Sequence, residues 1–311
     1  MLESRNYDFM GKRKLSAIVS AALVLASIVL IAVRGLNLGL DFTGGTLIEV
    51  GYEQPADLKA IRGALEANGF DRASVQYFGT SKEVLIRLAP REGGNRSTLG
   101  DEILQILQKV SDGDGKVEMR RVEFVGPQVG EELREDGGLA MLYALFGILI
   151  YVAFRFEYRF SFASIIALVH DVLITLGFFA LTQMEFDLTV LAAVLAIIGY
   201  SLNDTIVVFD RIRENFRKLR KGSPEEVVNT SINQTLSRTI ITSLTTLLVL
   251  IALYFLGGEI IHSFSVALIV GVVVGTYSSI YVASNAALAM GVSQKDLIPE
   301  ERDQDELDSM P

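Results

Sequence analysis

Six stretches of this chain are too apolar and too long to fold in water. Residues 15–33, 137–154, 160–184, 188–209, 238–258 and 263–290 carry almost no charge. Crossing a ~30 Å hydrocarbon layer takes about 20 mostly apolar residues. Within lipid every backbone N–H and C=O must be satisfied inside the chain, which a helix achieves and an open strand does not. The six stretches therefore predict six membrane-spanning helices. The first is too long for a signal-peptide core, and no small-residue cleavage motif precedes Arg34, so it reads as an uncleaved anchor. Charged residues make up only 21% of the chain, below the ~25% of soluble domains.

Composition removes several classes of function. The chain has no cysteine, which excludes a disulfide scaffold, a thiolate metal site and a cysteine nucleophile. His170 and His262 are the only histidines, too few for a His-rich metal cluster. A net charge of −9 weighs against nucleic-acid binding. We assign no catalytic residue, no metal ligand and no cofactor, and read the chain as a non-enzyme.

Lysine and arginine set the orientation. Arg5, Lys12, Arg13 and Lys14 precede the first span, Arg155 and Arg159 follow the second, and six bases from Arg211 to Lys221 follow the fourth. The short loops 185–187 and 259–262 have none. Residues 1–14, a basic loop at 210–237 and an acidic tail at 291–311 are therefore expected in the cytoplasm. The amphipathic run 209–221 is expected to lie along the membrane surface. Ser223 reads as an N-cap with Pro224 at the first helical position.

Residues 34–136 form the one long segment on the outer side, with room for a small domain. Strands are expected at 46–52, 74–78, 84–88 and 116–125, with a turn at 79–81 between the second and third. Helices are expected at 55–68 and at 99–110, the latter capped by Ser97. The order is βαββαβ, a ferredoxin-like pattern. Ahead of it, Gly39-Leu40-Asp41-Phe42-Thr43-Gly44-Gly45 lacks the Gly-Lys-Ser/Thr of a phosphate loop. It reads as a tight turn in which Gly44 and Gly45 supply positive φ and Asp41 bonds the turn backbone. Residues 125–130 read as a stiff connector to the second span.

The informative residues are the ionisable ones inside the spans, because a charge there costs roughly 2.5–3.5 kcal/mol or more. His170 and Asp171 sit ~15 Å into the third span, near mid-membrane, and read as a supporting hydrogen-bonded pair. Further ligands for a hydrolytic metal are missing. Asp204 lies in the fourth span, with Tyr200 one turn away and Asn203 beside it. Leucine would be cheaper for packing. A buried carboxylate can load and release a proton if its surroundings change, since desolvation favours the neutral acid and a nearby cation the anion. An intramembrane aspartyl protease would need a Gly-x-Gly-Asp run that is absent. Arg238 opens the fifth span, and reads either as a positive-inside anchor or as an ion-pair partner of Asp204 at matching depth. Thr235, Thr239, Thr242 and Thr246 form a polar stripe on that span. Gly271-x-x-x-Gly275 and the serines Ser278, Ser279 and Ser284 read as close-packing positions.

Taken together, Gly39 to Gly45, Val125-Gly126-Pro127, Ala167-Leu168-Val169-His170-Asp171, the run from Gly199 to Asn215 and Leu236-Ser237-Arg238-Thr239 resemble the SecD/SecF family of protein-export membrane proteins, in the RND superfamily. That resemblance implies a six-helix half-bundle carrying a small outer domain in the bacterial inner membrane. It implies SecD as partner, beside the SecYEG channel and with YajC. It implies use of the proton motive force on unfolded preproteins after SecA has driven them in. It also implies a role in proton passage for Asp204, with Arg238 as its partner. From the residues alone, six spans are half of a two-repeat transporter, so a second half is expected. A half-size exporter of lipid or small hydrophobic molecules is the alternative, and a passive assembly scaffold is a third reading, disfavoured by the buried Asp204.

Overall fold

The computed structural model describes residues 6–71, 73–90, 96–110, 116–155, 157–219, 222–258 and 261–292. The acidic tail beyond 292, the bases at 220–221, Arg5, the Ser97 side chain and loop residues 259–260 lie outside them. The long helices are α1 (Arg13–Arg34), α5 (Pro127–Arg155), α6 (Tyr158–Thr182), α7 (Leu188–Lys218) and α8 (Pro224–Leu256). The last is α9 (His262–Ser278), which passes through a π-turn at Ser279–Ala283 into α10 (Ser284–Ala289). Together with the turn Met10–Lys12 ahead of α1, they make six helical spans long and apolar enough to cross a membrane. Helix α9 packs on α6, α7 and α8, and α1 lies on α6. Large apolar side chains such as Leu25, Phe154, Val249 and Leu256 point outward, as a surface meeting lipid requires. Phe160, Phe179, Phe209 and Phe216 are fully buried inside the bundle.

Between α1 and α5 sit β1 (Asn37–Leu38), the short α2 (Leu40–Thr43), β2 (Gly45–Tyr52), α3 (Leu58–Ala67), β3 (Ser74–Phe78), β4 (Thr80–Leu88), α4 (Arg96–Val110) and β5 (Val117–Val125). The four-stranded sheet runs β3-β4-β2-β5, antiparallel throughout. This is the ferredoxin-like order read from the sequence pattern. Alternation explains it: Ile48, Val50, Val84 and Ile86 face one side and meet Ile61 and Leu65 of α3 and Ile103 and Leu107 of α4. Asp57 caps α3 by accepting from the Lys59 and Ala60 amides, which satisfies N–H groups that a helix start leaves unpaired.

Four boundaries differ from the sequence reading. Strand β4 starts at Thr80, so the hairpin turns tightly at Gly79, whose φ is +72°. The connector 125–130 is mostly helix: Pro127 opens α5, where its missing N–H costs nothing. The amphipathic run after 209 is a continuation of the fourth span rather than a separate surface helix. It continues α7 to Lys218, with Phe209, Ile212 and Phe216 buried with Val227 and Val228 of α8. Its apolar face is covered by protein, and Asn215 Nδ2 donates to Ser231 Oγ and Gln234 Oε1 at 2.8 and 2.9 Å. The basic loop 210–237 is accordingly two helical extensions. A capping box between Ser223 and Glu226 starts the second, with Pro224 at its first turn.

Candidate functional site

The glycine-rich turn ties the α/β domain to the bundle. Gly44 and Gly45 have φ of +65° and +127°, and a Cβ on Gly45 would stand 2.4 Å from the Leu88 carbonyl oxygen. Asp41 does not bond its own turn. Its Oδ2 accepts from the Leu188 amide at 3.0 Å, at the start of α7. Strand β1 pairs in parallel with β6 (Glu185–Phe186) in the loop between α6 and α7. Arg87 of β4 forms an ion pair with Glu185, and Arg134 donates to the Phe42 carbonyl at 2.6 Å. Burial lowers the Arg87 pKa, while the charges of Asp187 and Asp41 act against that shift. The domain is thus latched to the end of the helix that carries Asp204. In a double-mutant cycle with Arg87→Gln and Glu185→Gln, read by unfolding of the purified protein, we expect a coupling of about 1–2 kcal/mol. Additive single effects would remove Arg87 from the latch.

The interior polar groups form three sets among α6, α7, α8 and the end of α9. Asp204 is partly buried. Its Oδ1 accepts from Thr239 Oγ1 of α8 at 2.7 Å, and its Oδ2 from Ser279 Oγ at 2.6 Å. Asp171 is 1% exposed. His170 Nδ1 lies 2.8 Å from its Oδ1, and Ser201 and Ser278 donate to its Oδ2 at 2.5 and 2.7 Å. Adjacent serines at the start of the π-turn thus reach the two carboxylates separately. Close approach makes room for this, because Gly271 and Gly275 of α9 lie against Ile197 and Ser201 of α7. A third set links Tyr200 Oη to Ser243 Oγ at 3.4 Å, and Ser243 to Thr276 at 2.7 Å.

Arg238 is not in this network. It is exposed on α8, and no ion pair joins it to Asp204 among the described residues. Thr239, its neighbour, supplies the contact instead. Thr242 and Thr246 donate to carbonyls of their own helix, so Thr239 is the member of the expected stripe that reaches Asp204. Asn203 is exposed as well, in line with Ala192, Ala196 and Gly199 along one face of α7. Ser278 and Ser279 read from the sequence only as close-packing positions, and Ser201 carried no reading of its own. The signal that would have found them is the acids themselves, since each buried carboxylate needs donors and hydroxyls are what the neighbouring spans contain. Among the described residues no group of three or more acids and histidines has metal-site geometry.

Comparison with known proteins gives a consistent result. Residues 105–293 match the family described as protein export membrane protein SecD/SecF, C-terminal, and residues 29–56 match the SecD/SecF GG motif. The protein translocase subunit SecF of Vibrio alginolyticus is 55% identical over 310 residues, 99% of this chain and 98% of that one. Its counterpart in Pseudomonas aeruginosa is 51% identical over 94% of both chains. Among solved structures, SecDF from Thermus thermophilus, described as a translocon-associated membrane protein, superposes with a TM-score of 0.83 at 42% identity. The match covers 93% of this chain and 39% of that longer one. A SecDF structure in a super-membrane-facing form gives 0.69 at 40% identity, covering 98% of this chain and 40% of that one.

Proposed function

Since the chain belongs to the SecD/SecF family of protein-export membrane proteins, and is by that membership a multi-pass subunit of the Sec protein translocase, we propose that it couples the proton motive force to the later stages of protein export. The observation that carries this reading is the setting of Asp204. Its two oxygens each accept one hydroxyl from a different helix, and Ser279 Oγ has a second acceptor, the Thr276 carbonyl, at 3.0 Å. A proton arriving at Oδ2 therefore meets a hydroxyl that can turn away. A carboxylate held this way changes its helix contacts when its charge changes.

The partner half is SecD. This chain spans about two-fifths of the solved SecDF chain, and its own surface is incomplete. Arg238 and the exposed small-residue face of α7 need cover, which a second half-bundle supplies. Arg238 then meets Asp204 from that interface in one conformation of the cycle and stands clear of it in another. Latched to α7, the α/β domain moves with the helix. The assembly works beside SecYEG and YajC on unfolded preproteins delivered by SecA, in the bacterial inner membrane. Its role is transport rather than catalysis. An exporter of lipid or small hydrophobic molecules is not favoured, because relatives about half identical over nearly their whole length are translocase subunits.

The test is preprotein import into inverted membrane vesicles at constant ATP, with the gradient intact or collapsed by an ionophore. Vesicles holding the complex are expected to lose their stimulation when the gradient collapses. Equal stimulation in vesicles lacking this chain would overturn the reading. Both termini are placed in the cytoplasm on the basic flanks. A single cysteine introduced at Lys218 is expected to react only with reagent supplied from the cytoplasmic face, and labelling from outside would reverse the orientation.

A further inference from the structure

Among the described residues, the Asp204 reading leaves the buried pair His170 and Asp171 without a task. His170 is 4% exposed, and its Nε2 has no hydrogen-bond partner. Its ring stacks on Tyr277, with centroids 6.2 Å apart. Nδ1 is committed to Asp171. We propose that His170 is a second proton-binding site of this bundle, wired to Asp204 through Ser278 and Ser279.

The argument starts at Asp171. Three donors converge on its carboxylate, and an ionised carboxylate is the acceptor-only group that such a shell suits. An anion buried this deeply needs a counter-charge. The spans 160–184, 188–209 and 263–290 contain no lysine or arginine, and α1 has none between Lys14 and Arg34. Protonated His170 is the cation within contact. A proton adds to the Nε2 lone pair and gives an imidazolium whose Nδ1–H still points at Asp171 Oδ1. The neutral ring leaves Asp171 uncompensated, whereas the charged ring leaves a buried N–H unpaired. Neither state is fully satisfied, so a change in the donors around Asp171 bears on the balance between them.

That change is available on α9. Ser278 Oγ lies between Asp171 Oδ2 and the Gly275 carbonyl, at 2.7 and 3.2 Å. Ser279 Oγ lies between Asp204 Oδ2 and the Thr276 carbonyl, at 2.6 and 3.0 Å. Each hydroxyl has two acceptors and one proton. The two are consecutive where α9 enters the π-turn, a rare widening that is frequent at functional sites. When Asp204 is protonated, Ser279 turns to Thr276, the turn shifts, and Ser278 is pulled with it. Asp171 then loses a donor and its demand on His170 rises. The titratable groups facing His170 are Asp171 on its own helix and Tyr277 on α9, with Asp204 behind the serines. Tyr277 Oη is engaged with Ser20 Oγ and the Ser16 carbonyl of α1, each at 3.0 Å.

This inference rests on the proton-coupling reading, and the experiment separates the two. The complex with SecD is purified in lipid discs in a His262→Gln background with ¹⁵N-labelled histidine. A His170→Gln subtraction identifies the His170 ring signals. We expect the non-protonated ring nitrogen to disappear as pH falls within about 5 to 8, the range in which histidine acts as a switch. The midpoint should shift by about one pH unit, the coupling that marks interacting sites, in both Asp204→Asn and Ser279→Ala. A non-protonated nitrogen that persists throughout, or one midpoint shared by the parent and both variants, overturns the proposal. Gradient-driven export is read from membranes carrying the same variants. If Asp204→Asn keeps its gradient response, the coupling reading falls and this proposal with it. If that variant loses its response while the His170 midpoint stays fixed, this proposal alone falls.

Discussion

Asp204→Asn is expected to abolish the stimulation of export by a proton gradient while leaving ATP-driven export, the fold and the partner in place. Asparagine fills the same volume. Its Oδ1 still accepts from Thr239, and its amide replaces Oδ2 as a donor to Ser279, whose own proton turns to the Thr276 carbonyl already 3.0 Å away. The structural cost is of the order of one hydrogen bond, about 1 kcal/mol. The functional cost is complete, because an amide neither binds nor releases a proton in this range. One charge moved across 100 mV is worth about 2.3 kcal/mol, and that input disappears with the carboxylate. Arg238→Ala is expected to impair the same step. The measurement is import into vesicles with and without the gradient. An asparagine variant that responds like the parent would show that Asp204 is a structural acceptor and nothing more.

Asp171→Leu is expected to be the most destabilising single change in the bundle. It strands the donors of His170 and Ser201 and leaves Ser278 Oγ only the Gly275 carbonyl, in a site where Asp171 is 1% exposed. Removing one member of a buried hydrogen-bonded charge cluster costs about 3–5 kcal/mol. That is a large part of the ~5–15 kcal/mol that holds a typical domain together. The variant should accumulate poorly in membranes, and what is purified should unfold at lower temperature or denaturant. Asp171→Asn, which retains an acceptor, should recover part of the loss. A change below about 1 kcal/mol for the leucine variant would show that the cluster is dispensable to the fold.

These two acids were visible in the chain for the same reason. A charge in an otherwise apolar span is expensive, so its position reads as a site with no further information. Their surroundings were not visible. The depth of Arg238 and Asp204 suggested a pair, yet Asp204 meets Thr239 and Ser279 while Arg238 faces outward. Spacing along a helix says which residues share a face. It does not say which neighbouring helix that face meets, and a difference of about 100° between adjacent residues separates Arg238 from Thr239. Asp41 shows the same limit in the glycine-rich turn. A local backbone bond was the natural reading, but its partner is the amide of Leu188, 147 positions away.

The sequence by itself determined six helical spans, the ferredoxin-like strand order and the identity of the two intramembrane acids, because period, length and charge are local quantities that lipid and water read one segment at a time. Tertiary structure alone decided that α7 and α8 run on beyond the apolar stretches, since the apolar stripe at 209–216 is satisfied equally by a membrane surface and by a second helix until α8 is seen against it. It also decided that Ser278 and Ser279 serve different carboxylates. That choice depends on the widened turn of α9 and on the close crossing at Gly271 and Gly275, both products of how helices distant in sequence pack against one another.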